Sequence, residues 1–266
     1  MTQPVIAVAQ FAPGADRAAN LDTVRRLATE AAGRGAGLVL FPEYSSYFTP
    51  QPGPDWVEHA EALDGPFVTA LGALADRLGI VVAAGLVERA ASVDKVRNTV
   101  VALAPHEGLV ATYRKLHLYD AFGQRESDWV EAGAIEAPRT FAWRGLTVGI
   151  QTCYDVRFPE VTRRIVDAGA DLVLIPAEWV RGPLKEHHWR TLVTARALEN
   201  TVYVAAADHT PPVGVGTSLV IDPMGVALAA LGEAEGVATA VVDAARIAEV
   251  RAVNPALRLR RFRVAE

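Results

Sequence analysis

Short runs of β-branched and other apolar residues alternate with longer Ala-, Leu- and Arg-rich stretches along most of the chain. This alternation is typical of α/β proteins. The longer stretches predict helices over residues 20–33, 67–78 and 160–168, and Asn20 is expected to cap the first of them. The short apolar runs predict strands over residues 37–42, 80–84, 99–103, 109–113 and 146–152.

The second half of the chain repeats the order of the first. Three pairs of segments correspond: residues 35–42 (GAGLVLFP) and 169–176 (GADLVLIP), 80–84 (IVVAA) and 202–206 (VYVAA), and 99–105 (TVVALAP) and 218–223 (SLVIDP). Either the two halves are similar layers of sheet and helix packed together, or GAxLVL is only a sequence pattern that is common where a helix leads into a strand. Since no Pro-, Gly- or Ser-rich linker separates the halves, we expect a single domain over residues 1–266.

Composition excludes several classes of protein. Hydrophobic residues make up 51% of the 266 positions and charged residues 21%, which excludes wholesale disorder. The net charge of −5, with basic residues clustered only near residues 258–263, argues against nucleic-acid or anionic-membrane partners. No apolar run approaches a membrane span, and no signal peptide is recognised, so we expect a cytoplasmic protein. One cysteine excludes an internal disulfide and a multi-thiolate metal site.

That cysteine, Cys153, lies between the predicted strand 146–152 and the predicted helix 160–168. A thiol between the end of a strand and the start of a helix is accessible, and the positive end of the helix dipole stabilises its thiolate. Both properties suit a nucleophile. The alternative is an inert, buried small side chain.

Two further reactive groups also follow predicted strands. Glu43 ends the run 37–42, at the sheet edge where ligands bind in open α/β folds, and Lys115 follows the strand 109–113. Taken singly, each could be an ordinary surface residue. Together with Cys153 they supply the base, the cation and the nucleophile that cysteine-dependent hydrolysis needs.

Three sequence blocks around these residues carry a resemblance: residues 41–44 (FPEY), 113–118 (YRKLHL) and 153–160 (CYDVRFPE). They resemble the signature blocks of the nitrilase superfamily of carbon–nitrogen hydrolases, and the similarity continues through residues 176–179, 195–200 and 222–225 to the Arg-rich tail. The resemblance implies a four-layer α-β-β-α sandwich with two pseudo-symmetric halves. It also implies a Glu–Lys–Cys triad.

The resemblance further assigns roles. Glu43 would be the general base and acid, Lys115 the oxyanion stabiliser and Cys153 the nucleophile of a thioester route, with the backbone N–H of Tyr154 as a second oxyanion donor. A family loop that bears a second active-site glutamate matches residues 117–127 and points to Glu126, with Glu131 as the alternative. No metal or other cofactor is expected.

The residues after the cysteine resemble the branch that contains omega-amidases and deaminated-glutathione amidases, whose substrates are side-chain amides of small dicarboxylic acids. In that setting Arg157 would clamp a substrate carboxylate, because a guanidinium matches it bidentately. The alternative for Arg157 is an ion pair with Asp155 or Glu160.

The chain departs from this branch at residues 176–179, where PAEW replaces the usual PAAF. Ala177, Glu178 and Trp179 are expected beside the substrate pocket. The carboxylate of Glu178 could attract an ammonium-bearing substrate and repel an anionic one, or could pair with Arg157 or Arg181.

The sequence therefore predicts an amidase that releases ammonia from a small, carboxylate-bearing amide. The alternatives are an N-carbamoyl-amino-acid hydrolase, a nitrilase, or a non-catalytic binding protein on the same fold. Family resemblance also predicts a homodimer or larger even-numbered assembly, formed through the helix 160–168 and the tail at about residues 250–266.

Overall fold

The computed structural model describes residues 3–264, which form twelve strands and six α-helices. The strands are β1 (Val5–Gln10), β2 (Leu38–Leu40), β3 (Val81–Arg89), β4 (Val96–Ala104), β5 (Gly108–Arg114), β6 (Thr140–Trp143), β7 (Leu146–Ile150), β8 (Leu172–Pro176), β9 (Tyr203–Ala207), β10 (Leu219–Ile221), β11 (Ala227–Ala230) and β12 (Gly236–Val241). The helices are α1 (Arg17–Gly33), α2 (Pro54–His59), α3 (Pro66–Leu78), α4 (Pro159–Asp167), α5 (Lys185–Asn200) and α6 (Ala244–Val253).

The strands form two six-stranded sheets with corresponding topologies. The first sheet has the order β12-β1-β2-β3-β4-β5, and the second has the order β6-β7-β8-β9-β10-β11. In each sheet the second, third and fourth strands are parallel and the outer pairings are antiparallel. The three pairs of matching sequence segments fall on β2 and β8, β3 and β9, and β4 and β10. Each pair holds the same place in its sheet, so the predicted duplication is confirmed.

Alternating side chains along the central strands build the four layers. Leu38 and Leu40 of β2 pack with Leu172 and Leu174 of β8 in one cluster between the two sheets. Val39, which points to the opposite face of β2, packs instead with α1 and α3. The second sheet is covered on its outer face by α4 and α5. The predicted α-β-β-α sandwich is therefore confirmed, and its central strands β2, β8 and β9 are buried on both faces, as in other parallel sheets.

The first helix begins earlier than predicted. Asp16, not Asn20, caps α1, because its carboxylate accepts the free backbone N–H groups of Ala18 and Ala19. The Asn20 side chain bonds both backbone groups of Gly14 and the carbonyl of Ser46, so it ties the loop after β2 to the helix.

Most predicted strands and helices differ from the observed ones by a few residues at their ends. The largest difference is β3, which runs on to Arg89 because β4 pairs with its whole length. The predicted strand 146–152 ends at Ile150, before a short 3-10 helix over Cys153–Arg157.

Strand direction gathers several loop residues at one edge of each sheet. Because β4 is antiparallel to both β3 and β5, the carboxyl ends of β2, β3 and β5 share an edge, where Glu43 and Lys115 lie. In the second sheet β7, β8 and β9 run parallel, so Cys153, Glu178 and Asp208 follow strands that end together. This arrangement positions the site.

Candidate active site

Residues from both sheets line one cavity of about 490 Å³. The residues predicted to act on the substrate are among its lining: Glu43, Lys115, Glu126 and Cys153. Aromatic side chains from α2 and the loops close its sides, as in typical small-molecule sites. The structure thus brings together four residues that are up to 110 positions apart in the sequence.

Cys153 stands at a sharp turn between β7 and the 3-10 helix. Its φ of 46° is in the left-handed region, which is strained for a side chain with a Cβ. The thiol is buried, and its Sγ lies 3.6 Å from the carbonyl oxygen of Glu178. Burial, followed by the charge of Glu43, raises the pKa of the thiol well above its usual range. At rest Cys153 is therefore a protonated thiol that needs a base to become a nucleophile.

A buried carboxylate, Asp155, fixes this turn against the end of β5. It accepts hydrogen bonds from the Tyr113 hydroxyl at 2.7 Å and from the backbone and ring nitrogens of His117 at 2.9 and 2.8 Å. The backbone N–H of Thr152 donates to it at 3.3 Å. Since Tyr113 and His117 flank Lys115 in sequence, Asp155 fixes the turn at Cys153 relative to the chain segment that carries Lys115.

Both oxygens of the Glu43 carboxylate are held in place. Its Oε1 accepts from Lys115 Nζ at 3.0 Å and from the amide of Asn98 at 2.6 Å, while Oε2 accepts from the backbone N–H of Glu178 at 2.6 Å. The Glu43 carbonyl is bonded to the ring of His209 at 2.6 Å. Burial lowers the pKa of His209 to about 4, so the neutral ring donates this bond from Nε2. The Glu43 carboxylate is thus held by three donors, from Lys115, Asn98 and Glu178.

Lys115 bridges two carboxylates, because its Nζ lies 3.0 Å from Glu43 Oε1 and 2.9 Å from Glu126 Oε2. Burial alone would lower the pKa of Lys115, but Glu126 and Glu43 outweigh it and hold that pKa well above its usual range. Burial would likewise raise the pKa of Glu126, yet the charge of Lys115 and a hydrogen bond from the Tyr44 hydroxyl at 2.6 Å lower it. The lysine is a permanent cation in this setting.

The structure distinguishes the two candidates for the second glutamate. Glu126 lies against Lys115, and its Oε2 also accepts the backbone N–H of Tyr119 at 2.6 Å. Glu131 is paired with Arg97 and bonded to Ser92, outside the cavity lining. Glu126 is therefore the glutamate of the cluster.

Only some of the residues predicted to bind the substrate line the cavity. Tyr154, Glu178 and Trp179 line the cavity, whereas Ala177 is fully buried in the extension of β8. Arg157 lies outside the lining, with its guanidinium carbon 4.9 Å from the centre of the Trp179 ring. Within residues 3–264 it forms an ion pair with neither Asp155 nor Glu160, and its Nε and Nη2 are buried without hydrogen-bond partners.

Glu178 is also unpaired: Arg181 bonds Glu233 instead, and Glu178 Oε1 is buried without a partner in the described part of the chain. Burial, followed by the charges of Glu43 and Asp208, raises the pKa of Glu178 well above its usual range. The protonated acid is thus the favoured form beside the cysteine.

Sequence reasoning missed three residues of the site. Asn98 contacts both Glu43 and Glu126, Tyr44 bonds Glu126, and Lys185 lines the cavity at the start of α5. Tyr44 directly follows Glu43 in the first signature block, which is a signal that could have found it. Asn98 and Lys185 lie outside the three signature blocks, so those blocks gave no signal for them.

Among residues 3–264, no group of three or more His, Cys, Asp or Glu side chains could hold a metal ion. In the same part of the chain, no helix is both long enough and apolar enough to cross a membrane.

Comparisons with known proteins agree with this geometry. The family model described as carbon–nitrogen hydrolase matches residues 5–252. The chain is 38% identical over 258 residues to the deaminated glutathione amidase of Escherichia coli O157:H7, covering 97% of each chain. Among solved structures, the NitFhit protein of C. elegans superposes with a TM-score of 0.88 at 28% identity, covering 97% of this chain and 65% of that one.

A mutant amidase from Nesterenkonia sp. AN1 superposes with a TM-score of 0.78 at 27% identity, covering 96% of this chain and all of that one. In that structure acrylamide has added to the active-site cysteine.

Proposed function

The chain belongs to the carbon–nitrogen hydrolase family and is a cysteine-dependent amidase of that family, and we propose that it hydrolyses a small, carboxylate-bearing amide to an acid and ammonia through a thioester on Cys153. One observation carries the assignment of residues: Glu43, Lys115 and Cys153 meet in a single cavity, where both glutamate oxygens and the lysine ammonium are fixed by buried partners.

The reaction begins with proton transfer from the Cys153 thiol to Glu43. The raised pKa of the thiol makes a base necessary, and Glu43 acts on Sγ directly. Sulfur then attacks the carbonyl carbon of the amide, and the electron pair of the C=O bond moves to oxygen. The product of this step is a tetrahedral intermediate with a negatively charged oxygen.

Lys115 supplies positive charge to that oxygen. Fixed donors in a buried site stabilise a developing charge without reorganising, which gives them a large effect on rate. Glu126, hydrogen-bonded to Lys115 at 2.9 Å, holds the ammonium in place, and the backbone N–H of Tyr154 is the second donor. The intermediate collapses as Glu43 returns its proton to the leaving nitrogen, so that ammonia departs and the thioester remains.

Water completes the cycle. Glu43, again ionised, removes a proton from a water molecule that attacks the thioester carbon. The C–S bond breaks, the acid is released, and the sulfur recovers its proton from Glu43. Each proton that Glu43 accepts in one half of the cycle is donated in the same half.

An acidic substrate is supported by the charges around the cavity. Arg157 and Lys185 both lie near its aromatic wall and have no anionic partner among the described residues. The E. coli relative is named for action on deaminated glutathione, an amide that carries carboxylates. The cytoplasmic location predicted from the sequence remains a prediction.

An ammonia-release screen tests the proposal. It compares side-chain amides of dicarboxylic acids and deaminated glutathione with carbamoyl compounds and nitriles, using purified protein. We expect turnover of the acidic amides and a thioester adduct on Cys153 by intact mass spectrometry of the reacting enzyme. Turnover of nitriles or carbamoyl compounds alone would contradict the amide assignment.

Assembly is a separate proposal. Arg260 of the tail bonds Asp167 at the end of α4, and Leu259 and Phe262 beside it are exposed. The exposed apolar side chains of Leu259 and Phe262 on this Arg-rich tail suit a homodimer formed through α4 and the tail, as predicted from the sequence. Residues 265 and 266 of the predicted tail lie outside the described residues. Light scattering at micromolar concentration is expected to give an even multiple of the chain mass, and a monomer mass would contradict the proposal.

A further inference from the structure

Lys185, the first residue of α5, holds its ammonium against three aromatic rings. Its Nζ lies 4.1 Å from the centre of the Phe122 ring, 5.1 Å from that of Tyr119 and 5.7 Å from that of Trp179. The residue is only 7% exposed, yet it lines the same cavity as Cys153. The side chain therefore lies at the cavity wall with little access to bulk water.

The hydrogen-bonding capacity of this ammonium is largely unused. Lysine offers three N–H donors, and one donates to the Tyr119 hydroxyl at 2.8 Å. Nowhere in residues 3–264 does Lys185 form an ion pair. Cation–π contacts stabilise a buried ammonium only partly, so two donors remain for a ligand.

A second cation increases the demand for an anion. The guanidinium carbon of Arg157 lies 5.8 Å from the same Phe122 ring and 4.9 Å from Trp179, and its Nε and Nη2 have no partner in the described chain. Burial, followed by repulsion from Arg157, lowers the pKa of Lys185. Two neighbouring cations that contact the same aromatic rings, and that form no ion pair with a carboxylate among residues 3–264, make a site that an anion would stabilise.

We propose that Lys185 is the specificity-determining residue of this amidase, and that its ammonium binds a carboxylate at the end of the substrate remote from the scissile amide. The proposal rests on the proposed function and names the group that recognises its substrate. Lys185 lines the cavity, while Arg157 lies outside the lining and adds positive potential beside the same Phe122 and Trp179 rings.

The carboxyl group of Glu178, beside this site, is compatible with an anionic ligand. Glu178 lines the same cavity, but its raised pKa favours the protonated form. A neutral acid does not repel a carboxylate by charge, and its unpartnered Oε1 is free for a polar group of the substrate in the described structure.

Paired substrates test the role of Lys185. The monoamides of succinic, glutaric and adipic acid are compared with butanamide, pentanamide and hexanamide, which lack the carboxylate at matched chain length. Lys185→Met removes the charge and retains an unbranched stem. A hydrogen bond to a charged group contributes about 1.5–3 kcal/mol, so kcat/KM for the acidic amides should fall by about 10- to 100-fold.

We expect that loss to appear mainly as a higher KM, with neutral amides changed by less than about twofold. Arg181→Met is the matched control, because it removes one cation from the neighbouring loop, where Arg181 bonds Glu233 outside the cavity lining. Lys185→Arg should retain part of the preference for acids. Equal losses on acidic and neutral amides in Lys185→Met would overturn the proposal.

A binding experiment separates this proposal from the catalytic one. In a Cys153→Ala background, calorimetry should show that the glutaric monoamide binds more tightly than pentanamide, and that Lys185→Met removes this difference. Lys185→Gln carries the same expectation should the methionine variant not fold. A binding difference that depends on Lys185, together with no ammonia release from any of these amides by the protein with Cys153 intact, would refute the proposed function alone. No difference in the presence of Lys185 would refute the carboxylate site alone.

Discussion

Gly85 determines where the proposed base stands. This residue of β3 packs against the loop that carries Glu43. Its N–H donates to the Pro42 carbonyl at 3.1 Å, and its carbonyl accepts the N–H of Ser46 at 3.2 Å. A Cβ added at Gly85 would lie 2.7 Å from Glu43 Cα and closer still to the backbone nitrogen of Tyr44. Both contacts are to backbone atoms, which cannot relieve the overlap by a change of rotamer as a side chain can.

The size of the displacement follows from these distances. Ordinary contact of a Cβ begins at 3.4 Å, so the Glu43 backbone must withdraw by at least 0.7 Å, the difference between 3.4 and 2.7 Å. A misplacement of about 1 Å costs about 100-fold in rate when reacting groups must be aligned. We therefore expect Gly85→Ala to lower kcat/KM by about 10- to 100-fold and, as overpacking, to lower the free energy of unfolding by about 1–3 kcal/mol.

The assay is steady-state ammonia release, normalised to folded protein by circular dichroism, with denaturant unfolding in parallel. Gly72→Ala is the matched control: it lies in α3 with no atom within 4 Å of the added Cβ, and alanine in a helix is more stable than glycine by about 1 kcal/mol. The double variant should regain part of the lost stability and none of the lost activity. A folded Gly85→Ala protein with wild-type kcat/KM would refute the reasoning.

Two further expectations concern the charges of the site. Cys153→Ala should abolish turnover, and ammonia release by this variant at the wild-type rate would exclude the thioester route. Lys115→Met should lower kcat by about 10²–10³-fold with circular dichroism unchanged, and a wild-type kcat would exclude Lys115 as the oxyanion stabiliser. Unfolding free energy should fall as the pH falls from 6.5 to 4, because the unfolded His209 ring binds a proton in that range while the buried ring, with its pKa of about 4, stays neutral. The contribution reaches about 3 kcal/mol, and denaturant unfolding of His209→Gln at pH 4 and 6.5 should show a correspondingly smaller difference than wild type.

Much of the fold could be predicted because the core imposes a pattern that local sequence carries. Leu38 and Leu40 face the other sheet and Val39 faces the helices, so an uninterrupted apolar run marks a strand buried on both sides. The same constraint acts on residues 172–175 of the second sheet, which is why the two halves resemble each other in sequence. The reactive residues could be found for a related reason, since Glu43, Lys115 and Cys153 each follow a strand that the sequence predicts.

Helix starts and side-chain partners were less predictable, because several polar residues compete for each role. Asp16 and Asn20 are both good capping residues, and only the position of Gly14 and Ser46 leaves Asn20 engaged elsewhere. Lys185 gave no local signal, since its neighbours Phe122 and Tyr119 come from a loop more than 60 positions away. Contacts of that range depend on how the two sheets stack.

Ionisation was the least predictable property, because it depends on the whole site. Several buried carboxyl groups lie close together here: Glu178 interacts with Glu43, Asp208 and Glu126, while the Lys115 ammonium pairs with Glu43 and Glu126. Like charges crowded in a buried region cannot all be present at low cost. Burial raises the pKa of Glu178 and Asp208 well above their usual ranges, whereas Lys115 lowers that of Glu126. The ionised form is thus favoured at Glu126, where Lys115 balances the charge. For the same reason, the expectation that Glu178 repels acidic substrates depends on an ionised form that burial disfavours. Under the proposal made above, Lys185 then selects the charge of the substrate.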